Sequence, residues 1–543
     1  MLKKLCDAWE GRLPSRATGG CCKRATSDLV RKKLPVCNIL CLAVLLMLPL
    51  MFAACGRNTP PDPPTEVVPI PIYIDSYNDY PQYEDEYEVV LPDIPQHNEY
   101  TVTLEIDSEA RTVRGISRIN FTNRSDKPLD TIVLRVFLNA FEQDVYPPPY
   151  ASDEALYESH RKYMDIEYVF INNETLEYNM DGTILTLYLE EPIEPDTTVL
   201  LSLQYSANVP EFAHIMGGNE AGMWFGMFLP VLSVYGDDGW HMEAFYPVGN
   251  PFFLETANYH VAITTPLRYN VVGTGHRTEE IIYDTDIKIT RFAANMARDF
   301  AFAVLSPYYN SASIITDGGL EISLHYHTEL VSDRAEEILE LARYSMERFE
   351  YFVGVYPFGQ MSIVETDLQH NAVPFSQMIF ADTRHLRYGD LADLSVSLGS
   401  QWFSSVVGVN RIAEPWLDIG LTRFVGASIA YDTPELLREY MEQVHENIAD
   451  RTDLYLTDGL WVYTIREDFV AAQGYRAMLM LYQLQRRMGV DYFWKFINLY
   501  YQTFSFRIAT VENFILTAEE IYDGNLREFF EVWMTSDVVP PLR

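Results

Sequence analysis

The sequence predicts a multidomain β + α protein, with an antiparallel β-sandwich over residues 97–306 followed by a mostly α-helical half over residues 307–543. Periodicity separates the two. Apolar side chains recur at every second position before residue 306, and at three-to-four spacing after Tyr308. Cysteine and proline placement marks off two further segments, a leader over residues 1–54 and a tether over residues 55–96.

Residues 1–54 carry nine Lys/Arg against three Asp/Glu, ending in the basic cluster Arg31-Lys32-Lys33. From Leu34 to Ala54 the chain holds one strongly polar residue, Asn38. A positive region followed by an apolar one is the pattern of an export signal. The run closes on Phe52-Ala53-Ala54-Cys55, which resembles the lipobox of bacterial lipoproteins with Phe where Leu is usual. That resemblance implies cleavage before Cys55, lipidation of its thiol, and a protein facing outward from the bacterial cell membrane. The same run is long enough to span a bilayer, so an uncleaved anchor is the alternative, and either places the rest of the chain outside the cytoplasm. The positive region is long for a signal, which a later start codon would explain.

All six cysteines lie at or before Cys55, so nothing beyond it can form a disulfide, a cysteine zinc site or a cysteine nucleophile. Nine prolines and an acidic, tyrosine-rich run from Tyr73 to Glu88 make residues 55–96 read as an extended spacer. The whole chain holds 77 Asp/Glu against 40 Lys/Arg, a net charge of -37, and losing the leader makes the remainder more acidic still. Such a surface repels phosphates, which argues against nucleic acid as a partner. Hydrophobic residues at 48% and aromatics at 13% suffice for large cores.

In the β half, Tyr100, Val102, Leu104 and Ile106 alternate with mostly polar residues, as do Val199, Leu201, Leu203 and Tyr205. Further strand-like runs cover Thr131 to Leu138 and Tyr259 to Thr264. In the helical half, Ile338, Ala342, Ser345, Phe349 and Phe352 share one face of a helix that Ser332 and Asp333 can start. Thr433-Pro434-Glu435 supplies the N-cap, N1 proline and first-turn acid of another.

Gln401-Trp402-Phe403, with Glu414-Pro415-Trp416-Leu417-Asp418 and Gly420-Leu421, resembles the catalytic segment of the aminopeptidase N family of zinc metallopeptidases. That segment reads H-E-x-x-H-Q-W-F and then E-P-W-L-D-E-G-L. Gly239-Trp240-His241 through Phe252, Val355-Tyr356-Pro357-Phe358 and the tail Phe504 to Trp533 are similar to other segments of the family. The resemblance covers nearly all of residues 97–543 and implies a thermolysin-like (gluzincin) domain after the sandwich, with zinc as cofactor.

The family's zinc needs two His four apart on a helix and a Glu from the next helix, with a Glu beside the first His to activate metal-bound water. On the matching positions this chain carries Val396 and Ser400 for the two His, Ile419 for the third ligand, and Ser397 for the general base. The G-x-M-E-N-type loop, whose Glu receives the substrate's amino group, aligns with Asn371 to Phe375 and puts Pro374 at that Glu. The oxyanion Tyr of the Y-x-K-G-A segment aligns with Gln473, and Tyr475, two residues on, points elsewhere if the helix register holds. Losing one oxyanion donor alone is typically worth ~3 kcal/mol. No His-Glu-x-x-His occurs anywhere, and none of the eleven His has a partner four residues away.

Two readings follow. In the first the chain is a noncatalytic pseudoenzyme that keeps a peptide- or protein-binding cleft, with His370, Phe375, Asp418 and Tyr475 as cleft residues and no metal. In the alternative it is an active metallopeptidase or other hydrolase with relocated catalytic residues. For that alternative, His325 and His327 alternate onto one strand face as a metal pair, and His370, His385, Asp393 and Asp418 come from segments near the cleft. Solvated or structural roles are the default for all of them. Ser397, Ser400, Ser404 and Ser405 have no G-x-S-x-G context and no triad order, and Trp402, Phe403 and Trp416 read as core.

Overall fold

Every second residue of Asn98–Asp107 is buried, and that alternation places the strand in an eight-stranded sheet with one face on the core. A computed structural model of the chain describes residues 97–141, 164–209, 215–246, 248–283, 285–368, 372–389 and 391–542. The leader, the tether and Cys55 lie outside the described residues. No helix among those described is long and apolar enough to cross a membrane.

The large sheet runs, edge to edge, through His276–Ile282, Ile287–Ala297, Ala257–Pro266, Asn98–Asp107, Thr112–Thr122, Thr198–Asn208, Met164–Ile171 and Glu174–Thr175. Its pairings are antiparallel except one: Asn98–Asp107 runs parallel to Ala257–Pro266. Two four-stranded sheets share its core. Leu104, Ile119, Leu201 and Ile263 from the large sheet meet Ile132, Leu134, Leu185 and Leu187 from one, and Met223, Phe225, Phe302 and Val304 from the other.

The second half holds more strand than the sequence reading expected. A five-stranded mixed sheet runs through Asn310–Ile315, Glu321–Tyr326, Gln360–Thr366, Met378–Asp382 and Ala372–Phe375, with Ala372–Phe375 as one edge. Met361 to Thr366 and Met378 to Asp382 are buried on both faces, so neither shows the period of two that marks a half-buried strand. The helical spacing holds elsewhere in this half: Ile338, Ala342, Ser345, Phe349 and Phe352 are all buried along Ala335–Phe352.

That helix does not start at Ser332 or Asp333. Ser332 already sits inside a short helix, Glu329–Ser332, which Thr328 caps by accepting from Val331 N, and the long helix begins after Arg334. A residue with helical backbone cannot also take the extended conformation of an N-cap. Thr433 does cap Pro434–Ile448, accepting from Leu436 N at 3.3 Å.

The junction near residue 306 is bridged by shared core. Val364, Leu368, Phe375, Met378 and Phe380 pack into the apolar cluster of the first half. Arg298 adds a polar strut. Fully buried, it donates Nε to Ser405 O (3.2 Å), Nη1 to Leu254 O (2.8 Å), and Nη2 to Val406 O (2.9 Å) and Arg507 O (3.2 Å). Four carbonyls from three distant parts of the chain therefore converge on one side chain, two of them, Val406 O and Arg507 O, also accepting from Phe506 N and Gly408 N.

Candidate functional site

The positions that align with the resembled family's zinc ligands sit where two helices pack closely. Leu391–Ser400 and Trp416–Ala430 run side by side in opposite directions, since Val396 lies opposite Gly426 and Ser404, just beyond the first helix, bonds to Asp418. The approach requires glycine: a Cβ on Gly426 would stand 2.9 Å from Val396 N and 3.0 Å from its Cα. Ile419, Arg423 and Gly426 follow at four and three residues, so they share one face of the second helix.

Val396, Ser397 and Ile419 are half-buried there, and Ser400 is buried. Ser397 Oγ is turned back along its own helix, donating to Asp393 O at 3.2 Å. The donor set does not fit zinc. Two of the three ligand positions carry hydrocarbon and the third a neutral hydroxyl, and no group of three His, Cys, Asp or Glu placed to hold a metal occurs among the described residues.

Hydrocarbon from both halves gathers beside Ile419. Val234, Val248 and Phe253 meet Ile412, Leu460 and Phe469 in a buried cluster, against which Tyr246, Ile419, Tyr463 and Val470 pack. Gly249 lies so close that a Cβ there would reach 2.8 Å from the Phe469 ring.

The position aligned with the oxyanion Tyr of the resembled family is taken up by the chain's own contacts. Helical hydrogen bonding widens to the π register over Val470–Arg476, as it does over Gln401–Val406. Gln473 within it is fully buried, and its Nε2 faces Tyr455 O (2.9 Å), Asp458 O (3.1 Å) and the Tyr463 hydroxyl (2.6 Å). Its donors are thus spent on the chain's own loop. Tyr475 is half-buried with the Arg423 guanidinium 5.0 Å from its ring centroid.

Of the cleft residues expected from sequence, Phe375 and Asp418 are turned into the core. Phe375 is 1% exposed and edge-on to Phe380, 5.1 Å between centroids, in the core of the first half. Its aromatic bulk and position on the edge strand, where Pro374 stands opposite Ile379, turn it inward. Asp418 is buried in an ion pair with Arg411 (3.0 Å) and accepts from Ser404, so it serves the core. His370 lies outside the described residues.

The relocated-site candidates also separate. His325 ends its strand buried on Ser311, Nδ1 to Oγ 2.7 Å, and desolvation, aided by Arg277, pushes its pKa down to about 4. The strand stops at Tyr326, so His327 falls in the next turn and the alternation that would pair the two imidazoles is lost. Its backbone N donates to Glu365 instead. His385 is buried in Thr383–Tyr388 and Asp393 is exposed. Trp402, Phe403 and Trp416 are buried in the core.

Sequence reasoning missed the buried charges beneath this region. Asp299 accepts from Ser376 N at 2.9 Å, and desolvation raises its pKa to about 6 against the pull of that bond, Arg411 and Arg298. Burial, with Arg411 nearby, lowers Arg298 to about 9. Nothing in the local pattern of Met296-Ala297-Arg298-Asp299 signals burial. Arg423 was legible in principle, one helical turn past Ile419.

No protein-family model matches the chain, and no curated protein is similar to it. Solved structures are. An M1 zinc metallopeptidase from Deinococcus radiodurans superposes with a TM-score of 0.63 at 15% identity, covering 83% of this chain and 96% of that one. A variant M1 zinc metallopeptidase from that organism, bound to a Tyr-Ser-Ala substrate, gives 0.62 at 17% identity over 82% and 95%. A two-domain M1 zinc metallopeptidase variant bound to L-tryptophan gives 0.62 at 15% identity over 83% and 97%. At such identities the likeness is one of fold, and the fold of this chain is that of the M1 zinc metallopeptidases.

Proposed function

We propose that this chain is a noncatalytic lipoprotein, held at the outer face of a bacterial membrane through Cys55, that uses an aminopeptidase-like cleft to bind a peptide or a protein segment. One observation carries the loss of chemistry. Where the resembled motif has His, His and Glu, the chain has Val396, Ser400 and Ile419, and Ile419 packs against an apolar cluster drawn from both halves. Restoring a metal there means burying charge in hydrocarbon. The commitment of Gln473 to backbone carbonyls, and of Ser397 to its own helix, supports the same reading. The membrane anchor rests on the sequence of residues 34–55.

Metal analysis of the full chain, purified with zinc present, joined to an aminopeptidase substrate panel with and without chelator, tests the proposal. Substoichiometric zinc and no chelator-sensitive turnover are expected. Stoichiometric zinc with chelator-sensitive hydrolysis overturns it in favour of an active hydrolase.

A further inference from the structure

Arg423 stands next to the position of the lost third ligand. A Cβ built on Gly474 would lie 2.9 Å from Arg423 Nε, 3.0 Å from its Cδ and 3.7 Å from Ile419 Cδ1, so the arginine and Ile419 lie side by side over that glycine. The absent side chain at Gly474 is what admits the arginine stem. The Tyr475 ring lies 5.0 Å from the guanidinium carbon, which fixes the head group's position.

Unlike Arg298, Arg411 and Arg476, which spend their donors on carbonyls or a carboxylate, Arg423 has no acceptor among the described residues. Its Nε is sealed from solvent and unpaired. Asp418, on the same helix, is committed to Arg411.

From this we propose that Arg423 is the binding position for a ligand carboxylate, taken as a bidentate pair by a preorganised guanidinium. This rests on the reading of the cleft as a noncatalytic peptide site and names the chemistry it selects. A planar fork of donors matches a carboxylate, and one cation in a chain of net charge -37 suits a monoanion better than a dianion. The hydrocarbon of Ile419 beside it, continuous with the cluster that holds Phe469, suits an apolar residue next to that charge. The carboxylate comes either from a peptide's C-terminus or from an Asp or Glu side chain.

Calorimetric titration of the full chain with three peptides separates these sources: Ala-Ala-Phe with a free carboxylate, the same peptide as its C-terminal amide, and acetyl-Ala-Glu-Ala-amide. At least one of the two carboxylate-bearing peptides is expected to bind about 10- to 100-fold more tightly than the Ala-Ala-Phe amide. Arg423→Gln should erase that difference, and Arg423→Lys, which keeps the charge without the fork, should retain part of it. Equal binding of all three peptides, or a preference that survives in Arg423→Gln, overturns the carboxylate position while leaving a peptide site intact. Failure of all three peptides to bind overturns both.

Discussion

Replacing Arg298 by Met keeps an unbranched apolar stem and removes every donor at its end. The carbonyls of Leu254, Ser405, Val406 and Arg507 then lose their shared donor, while Val406 O and Arg507 O keep another, from Phe506 N and Gly408 N. Hydrogen bonds to a charged group contribute ~1.5–3 kcal/mol each. Adding four such values overshoots, because one substitution removes them together and also relieves the desolvation that holds Arg298 at a pKa of about 9. Removing one member of a buried charged network costs ~3–5 kcal/mol, and the expected loss is about 4 kcal/mol. Asp299 adds to it, since Arg298 is one of the cations that favour its charged form. Urea unfolding of the full chain, followed by tryptophan fluorescence, measures the change. A loss below about 1 kcal/mol, with the fold unchanged by circular dichroism, would falsify the strut, because it would mean that the four carbonyls find other donors.

Asp299 and Glu365 give two further tests. With its folded pKa raised to about 6, Asp299 holds its proton more tightly folded than unfolded, so its contribution to stability is present below pH 4 and lost as pH rises through 6. The stability of the native chain relative to Asp299→Asn should therefore fall between pH 4 and pH 6 and level off above, and a difference that rises with pH rejects the assignment. Glu365, fully buried, accepts from His327 N, Thr328 N, Thr328 Oγ1 and Thr383 Oγ1, with no cation bonded to it. Glu365→Gln replaces one acceptor oxygen by a donor facing those same donors, and should cost about 2–4 kcal/mol in the same denaturation assay. A neutral outcome would show that the Thr328 turn is held by other contacts.

Elements with a clean period were legible in the sequence: the buried residues of Thr198–Asn208 and of Ala335–Phe352 are those that the two spacings select. The five-stranded sheet was not, because strands buried on both faces, such as Met378–Asp382, carry no alternation. The start of Ala335–Phe352 was misplaced because Ser332 and Asp333 are good caps in isolation, and only the Thr328 turn shows that they are already helical. At the site, the resemblance to the aminopeptidase N segment is what picked out Val396, Ser400 and Ile419. What surrounds them depends on segments such as Leu460 and Val248, far apart in the chain, and that was invisible. The inward turn of Phe375 and the pairing of Asp418 with Arg411 are likewise long-range outcomes that no local window contains.

The cluster of Val234, Val248, Phe253, Ile412, Leu460 and Phe469 has a consequence for anyone rebuilding a metal centre in this scaffold. A Glu at position 419 introduced alone would meet that hydrocarbon on one side and Arg423, one turn along, on the other, so its carboxylate would be drawn into an ion pair, and a His at position 396 would have to fit where Gly426 allows close contact. No single replacement gains the metal's binding energy until the last ligand is in place. Ligands added one at a time are therefore supported by the fold alone. A zinc site in this scaffold is reached by simultaneous change more readily than by single steps.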